Sequence, residues 1–191
     1  MKKFISIFSV IMIFILLFSG CTQETEKEPE NTENINTASG VLSNFTSVDI
    51  NGNPVDSSVL KGKKLTMINI WATYCGPCIN EMPFLGEISK EYADKDFQII
   101  GIALDVVDYY TGGLSESQIS LAKDIINRTG ADYLHLVPSE SLYNAKLSQV
   151  TSIPETIFVD ENGCQVGESV IGGRSKEAWI EIIENRLEQV Q

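Results

Sequence analysis

Cys75 and Cys78 stand three positions apart in "WATYCGPCINEMP", residues 71–83, with an aromatic residue before the pair and a proline after it. Two thiols at this spacing can supply half of a metal site, close a short structural staple, or cycle between dithiol and disulfide and so pass electrons. A structural zinc needs four ligands, and outside the pair the chain offers only Cys21, Cys164 and His135, none close to another ligand. The entropic gain from a staple grows with the loop it closes, so a bridge from Cys75 to Cys78 restrains very little of the unfolded chain. The spacing therefore favours reversible exchange.

The flanking elements fit that chemistry. "LTMINIW", residues 65–71, has too little polar alternation for a half-exposed strand and reads as a central strand covered on both faces. After Cys75 come Gly76 and Pro77, then Ile79, Met82, Leu85, Ile88 and Tyr92 at helical spacing, and Pro77 suits a first helical turn. A strand-to-helix junction puts Cys75 beside unpaired N–H groups and the positive end of a helix dipole, which favour thiolate, the species that attacks disulfides. Cys78, one turn further in, is placed to attack the mixed disulfide formed on Cys75. Pro83 lies inside the helix and should kink it.

The remainder alternates strand-like and helix-like periods, as an α/β domain does. "FTSVDINGNPV" reads as a hairpin around Asn51 and Gly52, and "FQIIGIALD" as a second buried strand. "SESQISLAKDIINRTG" carries Ser115 as a cap, Ile119, Ala122, Ile125 and Ile126 on one face, and Gly130 as a stop. "DYLHLVP" is a third strand and "SESLYNAKL" a short helix. "VTSIPETIFVD" is a strand entered through Pro154, with "CQVGESVIGG" as its hairpin partner, and "SKEAWIEIIENRLEQV" is an amphipathic helix burying Ala178, Trp179, Ile182, Ile183, Leu187 and Val190.

At 191 residues and 43% hydrophobic content the chain suits one globular domain, expected over 41–191. Residues 1–20 pair Lys2 and Lys3 with an apolar run from Phe4 to Phe18 and read as a secretory signal, an uncleaved membrane anchor being the rival. "LFSGC" resembles the bacterial lipobox, with Phe18 where leucine is usual, which makes Cys21 the lipid attachment site and residues 1–20 a lipoprotein signal peptide. Residues 21–40, acidic and nearly free of apolar side chains, read as a flexible tether. The expected address is extracytoplasmic, on the cell membrane. A formal charge of −12 argues against nucleic acid as a partner.

"NIWATYCGPC", Pro83 five residues after Cys78, "SIPETIFVD" and the long insertion between the two halves together resemble the thioredoxin superfamily. Within it the nearer resemblance is to the TlpA-like (ResA-like) membrane-tethered thiol-disulfide oxidoreductases, from Val41 to the C-terminus. The resemblance implies a thioredoxin-like α/β fold: a central mixed β-sheet flanked by helices, with an N-terminal hairpin and a central inserted helix and strand. It implies a protein disulfide oxidoreductase without cofactor or metal, catalytic through Cys75 and Cys78 and most readily a reductase of the cytochrome c maturation type or a related one. Implied partners are disulfide-bearing client proteins and a transmembrane thiol donor (CcdA/DsbD-like).

By the same resemblance Ile153–Pro154 is a cis peptide opposite the cysteines, where the backbone pairs with substrate. Tyr74, in place of the usual tryptophan, keeps an aromatic surface beside Cys75, and Glu155 helps select substrate or is a rim charge. Asn69 stands where thioredoxin has a buried acid, so that proton-transfer group is missing. Glu81 either tunes the thiols or is an exposed helix glutamate. His135 reads as structural and Cys164 as incidental. Two rivals share the fold: a peroxiredoxin-like peroxidase, disfavoured because Ile68 and Ala72 replace its motif proline and threonine, and a redox-inert binding module, disfavoured by the intact CGPC.

Overall fold

The computed structural model describes residues 40–108 and 111–190. The expected signal peptide, most of the tether and the Cys21 lipid site lie outside them. The chain enters the fold through an antiparallel hairpin, β1 (Thr46–Val48) and β2 (Pro54–Asp56), with Thr46 opposite Asp56. Its turn is held by Asp49, whose Oδ1 accepts from the N–H groups of Asn51 and Asn53 at 2.8 Å, and by Gly52 at φ +87°, a conformation side chains resist.

β3 (Leu65–Trp71) is buried along its whole length, as its unbroken apolar run requires, and leads into α1 (Gly76–Glu91). β4 (Phe97–Ala103), α2 (Glu116–Thr129), β5 (Leu134–Leu136), α3 (Glu140–Ala145), β6 (Glu155–Val159), β7 (Val170–Ile171) and α4 (Lys176–Gln189) follow. The main sheet runs β5-β4-β3-β6-β7. β3, β4 and β5 are parallel, and β6 and β7 return antiparallel, so the sheet is mixed with β3 at its centre. The hairpin docks on the outer edge of β5 through Ile50 N–H to His135 C=O (2.8 Å) and Val137 N–H to Val48 C=O (3.0 Å), which covers that edge.

Strand alternation separates two faces. Ile68, Ile70, Ile100, Ile102, Ile157 and Val159 pack with Leu42, Phe45 and the α3 residue Leu142 on one. Leu65, Met67, Phe97, Ile99 and Phe158 meet Leu85 and Ile88 of α1 and Trp179 and Ile183 of α4 on the other, where Trp71 and Ala103 also meet α2. The helix expectations hold in their caps: the Ser115 side chain accepts from Gln118 N–H, and Gly130 ends α2 at φ +67°. α1 runs unbroken through Pro83, which forfeits one ladder bond to Ile79 without ending the helix. A Cβ on Gly86 would lie 2.3 Å from the Gly130 carbonyl oxygen, so the missing side chain is what lets α1 approach the end of α2.

Candidate active site

The register that pairs Ile70 with Glu155 sets the start of β6 beside the C-terminal end of β3. Pro154 immediately precedes Glu155, and Cys75 follows Trp71 by four residues, so both loops emerge at the same end of the sheet. Cys75 and Cys78 are joined as a disulfide. Cys75 is the N-cap of α1: its Sγ accepts from Cys78 N–H at 3.3 Å and its carbonyl accepts from Ile79 N–H at 3.1 Å. Cys78 is fully buried, while Cys75 keeps 6% exposure. The outer sulfur is thus the one a disulfide from outside can meet, and the inner one can act only through it.

Ile153–Pro154 is a cis peptide, as the resemblance implies. Pro154 is buried, and Ile153, half-buried, packs against the apolar cluster that holds both cysteines. Tyr74 is 76% exposed and begins an apolar groove of about 520 Å³ that continues over Leu104, Val107, Pro138, Tyr143 and Leu147. The backbone before Cys75 is pinned by Asp105, whose carboxylate accepts from Thr73 N–H at 3.0 Å and from the Thr73 hydroxyl. Asp105 lies outside the motif that contains Thr73, and no local signal pairs residues 32 positions apart.

Glu81 lies on the buried face of α1 at 2% exposure, so it is not an exposed helix glutamate. Three donors from three elements meet its carboxylate. Asn69 Nδ2 of β3 donates to Oε1 at 3.0 Å, and Arg174 N–H and Trp179 Nε1 of α4 each donate to Oε2 at 3.0 Å. Burial pushes the Glu81 carboxyl above its ordinary value, against these hydrogen bonds and the Arg174 charge, which pull it down. The acid absent at Asn69 is therefore replaced in space by one from α1, hydrogen-bonded to that asparagine. Glu81 follows Cys78 by three residues and precedes Leu85 by four, and that spacing already puts it on the apolar stripe.

Glu155 is not a rim charge. It is 4% exposed and its Oε1 accepts from Lys146 Nζ at 2.6 Å, with both side chains buried. His135 is buried with Trp71 Nε1 donating to its Nδ1 at 3.2 Å, so its proton sits on Nε2 and goes to the Ala131 carbonyl at 2.9 Å. Burial pulls its pKa down to about 4. Cys164 lies in the turn after β6, at the end of the sheet away from the disulfide.

A buried pair of cysteines bridging at a helix N-terminus, next to a cis-proline loop on a mixed five-stranded sheet, defines a thioredoxin-fold thiol-disulfide oxidoreductase. The Redoxin family profile matches residues 37–178, and the chain belongs to that family as a TlpA/ResA-like member. It is 27% identical over 184 residues to the thiol-disulfide oxidoreductase ResA of Bacillus thuringiensis (strain Al Hakam), covering 93% of this chain and 94% of that one. Among solved structures, a thiol:disulfide interchange protein of the thioredoxin family from Chlorobium tepidum TLS superposes with a TM-score of 0.62 at 28% identity, over 75% of this chain and 93% of the other. The exposed lipoprotein thioredoxin Etrx1 of Streptococcus pneumoniae strain TIGR4 does so with a TM-score of 0.54 at 26% identity, over 74% and 98%. The chain is a protein disulfide oxidoreductase, and its substrates carry disulfides.

Proposed function

We propose that the protein is a lipid-anchored, extracytoplasmic reductase of protein disulfides, of the cytochrome c maturation type or a related one, working through Cys75 and Cys78. The observation that carries this reading is the Cys75–Cys78 disulfide at the N-terminus of α1, with the outer sulfur as helix cap and the inner one fully buried. In the dithiol form, Cys75 thiolate attacks one sulfur of a client disulfide. That S–S bond breaks, a Cys75–client disulfide forms, and the other client sulfur leaves as a thiolate and takes a proton. Cys78, deprotonated, then attacks Cys75 Sγ; the mixed disulfide breaks, the client departs as a dithiol, and two electrons have passed to it.

Ile153 presents backbone to an extended client segment, Tyr74 offers apolar contact beside Cys75, and Glu155 acts on the client through the position of Pro154. Glu81 tunes the thiols, since its charge beside the cysteine helix disfavours a second negative charge on sulfur. Reduction outside the cytoplasm needs electrons from across the membrane, hence a transmembrane thiol donor of the CcdA/DsbD-like kind. Anchoring through Cys21 is supported by the "LFSGC" stretch and by the description of the pneumococcal relative as an exposed lipoprotein.

Redox titration tests direction. A reductase equilibrates near the thioredoxin value of about −270 mV, whereas a potential near the DsbA value of about −120 mV would make the protein an oxidant and overturn the reading. Incorporation of labelled fatty acid in the wild type, lost in Cys21→Ser, tests the anchor.

A further inference from the structure

Trp179 belongs to a helix that the amphipathic pattern explains as packing alone, yet its indole N–H does something packing does not require. A buried tryptophan needs an acceptor for that N–H. Here the acceptor is not a backbone carbonyl but Glu81 Oε2, 98 residues earlier in the chain, at 3.0 Å. Arg174 N–H reaches the same oxygen at 3.0 Å. The loop that brings it there passes so close that a Cβ on Gly173 would lie 3.3 Å from Oε2 and 3.2 Å from the Pro77 carbonyl oxygen. α4 is tied down beside this point by Lys176, whose Nζ meets Glu87 and Glu91 of α1, both at 2.7 Å.

We propose that Trp179, together with the Gly173–Arg174 backbone, is a positioning residue for Glu81: it holds the carboxylate in its charged form beside the cysteine helix and so sets the pH at which the dithiol exchanges. This deepens, and rests on, the reading of Glu81 as the group that tunes the thiols. The chemistry of the donors supports it. Oε2 meets two N–H groups and Oε1 meets the Asn69 amide, all of which favour carboxylate over carboxylic acid.

The other groups around Glu81 do not compete for that role. Cys78 precedes it by one turn on α1, and Asn69 and Thr156 of β3 and β6 are neutral. Arg174 contributes a permanent positive charge from the β7–α4 loop. Tyr133, just before β5, feels the Glu81 charge but is held well above the ordinary phenol range, first by burial and then by that charge, so it stays neutral.

The test is Trp179→Phe in the full chain, which keeps most of the aromatic body and deletes the N–H. The carboxyl of Glu81 is followed in the reduced protein by ¹³C NMR with labelled glutamate, alongside the pH profile of thiol alkylation. Losing one charge-assisted hydrogen bond raises the Glu81 midpoint by about one unit, and the alkylation profile moves with it. In a Glu81→Gln background, Trp179→Phe leaves the profile where Glu81→Gln alone put it.

An unmoved Glu81 midpoint, or the same profile shift with and without Glu81, overturns the proposal. If Glu81→Gln alone leaves the profile unchanged, the reading of Glu81 fails instead, and the NMR midpoint still reports on the bond to Trp179. Gly173→Ala is the second route should Trp179→Phe unfold: its Cβ would lie 3.3 Å from Oε2, so the loop and the carboxylate must part by a few tenths of an ångström, which lengthens the Arg174 N–H bond and raises the midpoint in the same direction, and an unmoved midpoint there counts equally against the proposal.

Discussion

Glu81 and Glu155 approach the cysteine end of the sheet from opposite faces. Asn69 and Thr156 are paired across β3 and β6 and point toward α1, where Asn69 meets Glu81. Glu155, the neighbour of Thr156, points to the other face, toward α3 and Lys146. The two acids therefore sit on different parts: Glu81 on the helix that carries the sulfurs, Glu155 at the start of the strand that follows Pro154.

The Lys146–Glu155 pair joins the segment after α3 to the residue following Pro154. Removing one partner leaves a buried charge alone, so Lys146→Met is expected to lower the unfolding free energy by about 3–5 kcal/mol. Replacing both partners by apolar residues of similar size recovers most of that loss. Urea denaturation of the single and double variants measures both, and a single variant as stable as the double one would show that the pair is not coupled.

Glu81 has a carboxyl pKa above its ordinary 4.5, so the folded protein binds that proton more tightly than the unfolded chain. Its contribution to stability is therefore greatest at low pH and declines as pH rises from about 4.5 through the folded value. Glu81→Gln should remove this decline from the stability profile of the oxidised protein. Parallel profiles for variant and wild type would contradict it.

His135 has the opposite sign. Its pKa falls from 6.5 to about 4 in the folded protein, so the unfolded chain takes up the proton first and stability is lost as pH drops from about 6.5 to about 4. The loss is on the order of 3 kcal/mol, and His135→Gln should flatten that part of the curve. Denaturant midpoints taken across this window in both proteins decide the matter by slope rather than by absolute stability.

Cys75 caps α1, and a reduced Cys75 that keeps this place would face the same N–H groups and helix dipole. With the opposing Glu81 charge removed in Glu81→Gln, its thiol should titrate below the ordinary value of about 8.5. The pH dependence of iodoacetamide alkylation of that variant reports it, and a value at or above about 8.5 there would count against the helix terminus as the source of reactivity.

Much of this was legible because it is local. Seven consecutive apolar-rich residues announced β3, Ser115 and Gly130 announced the ends of α2, and the Cys-Gly-Pro-Cys spacing announced the exchange chemistry. What stayed hidden depends on distant partners. Burial of Glu81 follows from its place on the stripe with Cys78 and Leu85, but its three donors come from Asn69, Arg174 and Trp179. Nothing local joins Lys146 to Glu155 or Thr73 to Asp105. β7 also shrank to two residues, because Gly167 and Gly172 on either side adopt positive φ and break the extended run expected there.

The most direct test of exchange through a nucleophilic Cys75 and a resolving Cys78 is to isolate mixed disulfides from cells expressing Cys78→Ser or Cys75→Ser in the full chain. Cys78→Ser removes the group that resolves the intermediate, so covalent, reductant-sensitive adducts through Cys75 should accumulate, and Cys75→Ser should give none. Equal trapping by the two variants, or trapping by Cys75→Ser alone, would contradict the assignment of the outer sulfur as the one that meets the client.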